Sequence, residues 1–233
     1  MRGAGMATDG LLKLLAWLSP SFPVGAFAYS HALEAAIEEG LVHDRTTLQD
    51  WIADLVAHGS PRADTVFFCH VYRAVAAGDV PAFLDVAELA SAMRGTGELA
   101  LEATQQGESF MHAIGDAWPV DVAPWRAALA SAGVRPAYPV AVACAAAVAN
   151  VPLDDAVPAY LHAFAANLVS AAVRAIPLGQ TDGQRALAAL EPGIAAAALA
   201  APDRPLDEAG GAALVVDTLS FRHETQYSRI FRS

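Results

Sequence analysis

Lysine is nearly missing from this chain. Lys13 is the only one in 233 residues, and 14 Lys plus Arg stand against 25 Asp plus Glu, for a net charge of -11. An acidic body of this kind offers no basic face to a nucleic acid. Without a lysine beside a Gly-rich loop there is also no phosphate-cradling motif, which excludes a self-contained nucleotide hydrolase. Cysteine is scarce too: Cys69 and Cys144 lie far apart in apolar runs and form no disulfide framework or paired-cysteine metal motif. The seven histidines include no His-Glu-x-x-His spacing, so no zinc or nickel site has a local signature and no cofactor is expected. No serine follows a strand in a nucleophile-elbow pattern. Binding, rather than catalysis, is the class that remains.

Long uninterrupted apolar runs are absent as well. The longest stretch free of Lys and Arg, 136–173, is broken by Asn150, Pro152, Asp154 and Asp155, which argues against one clean membrane span. The first ten residues lead into a run broken by Lys13 and Pro20, too short for a signal peptide. The expectation is a cytoplasmic protein that meets no membrane.

What is present is helical periodicity. Asp9 is placed to cap a helix carrying Leu11, Leu12, Leu14, Leu15 and Leu18. The prolines and glycine of 19–30 make a connector whose Phe22, Phe27 and Tyr29 tuck it against the body. Helices are then expected over 28–39, from Thr47 with Asp50, from Ser60-Pro61 to Gly78, over 79–92, 98–114, 124–131 and 138–149. The run from Asp154 to Ile176 is poor in charge and reads as the central helix, with His162 in its core and Asn167, Ser170 and Arg174 at one-turn spacings. Thr181 and Gln184 suggest a capping box, Pro192 a kink or a split, and 206–219 a last helix. No alternating run supports a sheet. The fold expected is all-α, a single-domain bundle of nine to ten helices over 1–220, with a flexible tail over 221–233.

That tail holds Phe221, Tyr227, Ile230 and Phe231 without a following element to cover them. It also holds Arg222, Arg229 and Arg232 against the single acid Glu224, so it carries +2 and the body -13 of the chain's -11. Such polarity steers a segment toward an acidic partner surface. Glu98, Glu102, Gln105, Gln106 and Glu108 give one helix a polar side, read as a solvated face or as a strip facing a partner. His31, near Glu34 and Glu38, is expected on an exposed polar face. A buried Arg174 needs partners, and Asn167, Gln180 or the tail carboxylate is expected to supply them, or else a partner at an interface.

Three stretches, Ser19 to Glu34, Asn167 to Gln184 and His223 to Ser233, together with Glu98 to Gly107, resemble the UreF family of urease accessory proteins, in order along nearly the whole chain. The resemblance implies an all-helical, dimeric adaptor that is not itself an enzyme and that serves nickel insertion into apo-urease. Its implied partners are UreD (UreH in some organisms) and the nickel-carrying GTPase UreG, with the assembly docking on urease. It implies that Tyr227, Ile230, Phe231 and Arg232 contact UreD, through a tail that becomes ordered on binding. The face formed by Pro23, Gly25, Phe27 and Tyr29 with Arg174, Gln180 and Gln184 is implied for UreG or for the dimer. An alternative gives Arg174 a catalytic role in activating GTP hydrolysis by UreG. The chain has none of the histidine-rich tracts that would store nickel.

Overall fold

The computed structural model describes the backbone from Ala4 and side chains from Thr8 through to Ser233. Residues 1–3, part of the stretch weighed above as a leader, lie outside the described residues. Eleven α-helices and no strand are found among the described residues. They are α1 (Ala4–Trp17), α2 (Leu33–Glu38), α3 (Arg45–His58), α4 (Ser60–Ala77), α5 (Val80–Ala92), α6 (Gly97–Ala117), α7 (Ala123–Ala132), α8 (Tyr138–Val148), α9 (Leu153–Ala175), α10 (Gln180–Ala200) and α11 (Leu214–His223).

Local chemistry accounts for several helix ends. Asp44 caps α3 by accepting from the Thr47 amide while the Thr47 hydroxyl accepts in return from the Asp44 amide, so the helix opens at Arg45, earlier than expected. Pro61 sits in the first turn of α4 and Gly78 closes it at φ 71°. Asp79 caps α5 through the Ala82 amide. Five expectations change. Asp9 lies inside α1, paired with Lys13 one turn on rather than capping. The helix expected from Ala28 starts only at Leu33, because His31 and Ala32 take left-handed backbone at φ 55° and 64°. The amide of Thr181 is already within α10, which starts at Gln180 with no side-chain cap, and Pro192 does not divide that helix. The last helix starts at Leu214 and runs past Ser220 to His223, so the boundary expected at 220 falls inside α11.

The most enclosed helix is α8, where Pro139 to Ala147 are all buried. It packs against α4 and α6, whereas α9, expected at the centre, is covered by α10 on one side and leaves Asp154, Asp155, His162 and Ser170 exposed. The cause is side-chain size. Five alanines among the eleven residues of α8 let neighbouring helices approach closely, and just before it, at Gly107 of α6, an added Cβ would stand 2.8 Å from the Ala137 carbonyl carbon and closer still to the Pro136 oxygen. Phe110 extends this contact, with edge-on packing to Trp17 at 6.3 Å and to Tyr138 at 5.8 Å. Helix α9 is long and apolar enough by composition to cross a membrane, but half of that window is buried within the bundle. Both cysteines are buried, and burial pushes the Cys69 thiol up to about 11.

Candidate partner-docking site

The tail lies along a cradle built from the 26–34 segment, α6 and α9. Its basic character is answered within the chain. Arg222 meets Glu39 at 2.8 Å and Arg229 meets Glu98 at 2.7 Å. The acidic surface toward which the tail was expected to steer is therefore present on its own body.

Glu34 organises the seat. Its two carboxylate oxygens accept from the backbone amides of Ile230 at 2.7 Å and Phe231 at 2.9 Å, the bonds that a helix terminus or a sheet would otherwise supply. Beyond them the tail pairs with the connector: the Arg232 amide donates to Ala28 O at 2.8 Å and the Ser30 amide to Ser233 O at 3.1 Å. The Ser30 hydroxyl also donates to that oxygen, and the Ser233 hydroxyl donates to Glu102 at 2.6 Å. The left-handed turn at His31 and Ala32 is what points Ser30 at the tail and begins α2 in time to present Glu34.

Burial then divides the tail's anchors. Phe231 is 4% exposed and Ser233 fully buried, while Tyr227 is fully exposed and Ile230 is 68% exposed. Phe231 packs against the Arg174 guanidinium, whose carbon stands 4.6 Å from that ring and 3.6 Å from the Phe27 ring. Arg174 donates to Ser170 O at 3.1 Å and Phe27 O at 3.0 Å, and burial lowers its pKa. Its partners are carbonyls, not Asn167, Gln180 or a tail carboxylate.

Part of the face expected apart from the tail lies beside it. Pro23, Gly25 and Tyr29 border a hollow of about 520 Å³ together with Arg232. Tyr29 is buried and donates to Gln105; burial raises its pKa and the neighbouring Arg232 pulls it the other way. Arg174 reaches the tail at Phe231, and Phe27 meets Arg174. Gln180 and Gln184 are exposed on the first turns of α10 and share no hydrogen bond with the connector among the described residues.

Several residues here were not foreseen. Glu102 and Gln106 are buried rather than solvated. His31 is 7% exposed, its Nε2 2.8 Å from the Ser60 hydroxyl, its Nδ1 3.5 Å from Glu102 and its ring edge-on to Phe164. His162, in turn, is exposed. One signal could have found the acids: three tail arginines with one local Glu require counter-charge elsewhere, and Glu98 and Glu102 recur at one-turn spacing without a lysine nearby. No group of three or more His, Cys, Asp or Glu able to hold a metal ion occurs among the described residues.

A second concavity, about 770 Å³, runs between α1, the connector, α6 and α9. Leu11, Leu15 and Phe27 form its exposed apolar rim, and the Asp64–Arg94 ion pair at 2.8 Å lies at its base with Tyr160 donating to Asp64 at 2.9 Å.

The family model described as UreF matches residues 42–191. The urease accessory protein UreF of Xanthobacter autotrophicus strain Py2 is 50% identical over 235 residues, covering 99% of this chain and 96% of the relative. That of Rhodopseudomonas palustris strain BisB5 is 49% identical over 223 residues, covering 96% and 91%. That of Azorhizobium caulinodans is 49% identical over 227 residues, covering 97% of each.

Proposed function

Because this chain belongs to the UreF family of urease accessory proteins, we propose that it is a cytoplasmic, homodimeric adaptor in nickel insertion, which docks UreD (or UreH) through its tail and brings UreG to apo-urease. The observation that carries the tail's part is the split among its anchors. Backbone and Phe231 are tied down, and Tyr227 and Ile230 are held outward with no cover of their own. A seated backbone reduces the ordering cost of association. Covering Tyr227 and Ile230 contributes about 3–5 kcal/mol before the remaining costs of association. Phe231 adds little to that sum, since it is already buried.

Because α11 continues to His223, a chain shortened at Ser220 would lose a helix turn as well as the tail. The sharper experiment is size-exclusion chromatography with light scattering of UreD mixed with the full chain or with the double substitution Tyr227→Ala, Ile230→Ala. Co-elution is expected with the full chain and not with the double variant, while each protein alone keeps its own mass. Equal co-elution by both would remove the tail from the interface. The mass of the adaptor alone tests the homodimer in the same run.

A further inference from the structure

The ring of His223, at the foot of the tail, is fully buried with a carboxylate on each nitrogen. Nδ1 stands 2.6 Å from Glu98 Oε2 and Nε2 3.2 Å from Glu34 Oε2. Both carboxylates already serve other donors: Glu34 accepts from the Ile230 and Phe231 amides, and Glu98 from Arg229. Each carboxylate therefore faces donors from more than one element, and its oxygens serve only as acceptors there.

A neutral imidazole donates from one nitrogen and accepts at the other. In this pocket the accepting nitrogen would face a carboxylate lone pair at hydrogen-bonding distance. The imidazolium donates from both nitrogens and satisfies both acids. With it, Glu34 of α2, Glu98 of α6, Arg229 of the tail and His223 of α11 sum to zero charge, the condition under which buried charges are tolerated. Among the other charged groups nearby, Arg232 lies beside Tyr29 and Arg174 stacks over the Phe231 ring. Glu102 and His31 lie one step away around Ser233, Glu39 pairs with Arg222 outside the pocket, and Glu224 is exposed.

We propose that His223 is a proton-dependent latch: as the imidazolium it bridges Glu98 to Glu34, holds Glu34 on the two tail amides, and so sets whether Tyr227 and Ile230 are presented to a protein partner. This inference rests on the tail's role as the docking segment. Seating the tail takes up a proton at His223, so the seat weakens as pH rises. His223 acts as a positioning residue, through Glu34.

The test uses the full chain labelled with ¹⁵N in histidine. Ring-nitrogen spectra at neutral pH read the proton count of His223, and hydrogen exchange reads the Ile230 and Phe231 amides against the amides of α8 as an internal reference. Both ring nitrogens are expected to carry protons in the seated tail. In His223→Gln and in Glu34→Gln, exchange at 230 and 231 is expected to quicken by at least about tenfold relative to α8, the scale of a lost bond to a charged acceptor. Raising pH on the wild type is expected to move the same ratio in the same direction. A singly protonated ring in the seated tail overturns the proposal, and that spectrum decides even if a variant does not fold. Unchanged exchange in folded His223→Gln overturns it equally. If Glu34→Gln frees the tail and capture of the partner protein is unaffected, the latch stands and the docking role of the tail falls.

Discussion

Around α8, the residues from Pro139 to Ala147 are all buried and carry no charge; around Ser233 comparable burial is reached with Glu34, Glu102, His31 and His223. The first region is held by shape, with alanine and glycine allowing backbones to close on one another. The second is held by ionisable groups whose partners sit on α2, α6, α11 and the tail. Close packing responds to volume and hardly at all to protons. A buried ionic seat responds to protons and to the loss of either partner. The interior is thus suited to permanence and the tail seat to release, although both belong to one domain.

The largest effect expected from a single methyl group is at Gly107. A Cβ there meets the backbone of Pro136 and Ala137 rather than a movable side chain, so α6 and α8 must separate. Gly107→Ala is expected to lower unfolding free energy by about 3 kcal/mol, read by urea denaturation. Tail exchange measured under folded conditions should be little changed. A variant as stable as the wild type would show that the α6–α8 contact yields easily, and the contrast between a rigid interior and a releasable seat would lose its first half.

The two regions also differed in how far sequence betrayed them. Period, caps and glycine stops predict an all-helical chain, and α4, α5, α7 and α8 lie within a residue or so of their expected places, because Pro61, Asp79, Gly78 and Gly133 act locally. The tail seat is non-local: Glu34 and Phe231 lie 197 residues apart. Nothing near Glu34 marks it as a cap for distant amides, and the backbone at His31 and Ala32 is one that neither residue favours. Centrality was misread for a related reason. Low charge in α9 signals apolar surroundings, but part of those surroundings is a groove, whereas the alanines of α8, each small in area, mark the helix buried along nearly its whole length.

A smaller effect is expected where the two regions are joined. The Ser220 hydroxyl of α11 lies 2.6 Å from the Thr96 hydroxyl that caps α6, and both residues are buried. Thr96 retains its bond to the Leu99 amide if Ser220 is changed. Ser220→Ala should therefore cost only about 1 kcal/mol. Its signature is placement: melting shifts by a few degrees at most on the ordinary scale, and exchange at Ile230 and Phe231 quickens while α8 is unchanged. If α8 loosens along with the tail, interior and seat open as one unit and the contrast between them is wrong.

The smallest effect lies further along α6, where a glutamate meets an arginine in water. Glu108 accepts from Arg135 Nε at 2.7 Å and Nη2 at 2.9 Å, with Arg135 half exposed. The Arg135 hydrogen bond holds the Glu108 carboxyl below its ordinary value of 4.5, against a smaller opposing push from burial. A depressed acid contributes stability that is present above the unfolded value and is lost as pH falls through the folded one. Solvent screens the pair, so Arg135→Ala is expected to cost about half a kcal/mol or less at neutral pH and low salt. The two proteins should converge in stability below pH 4.5 and also in high salt. The seat formed by Glu34 and Glu98, shielded from solvent, should keep its protection of Ile230 and Phe231 in the same high salt. Equal salt sensitivity at the two places would mean that water reaches His223, and burial could no longer explain why carboxylates of one type behave differently along a single helix.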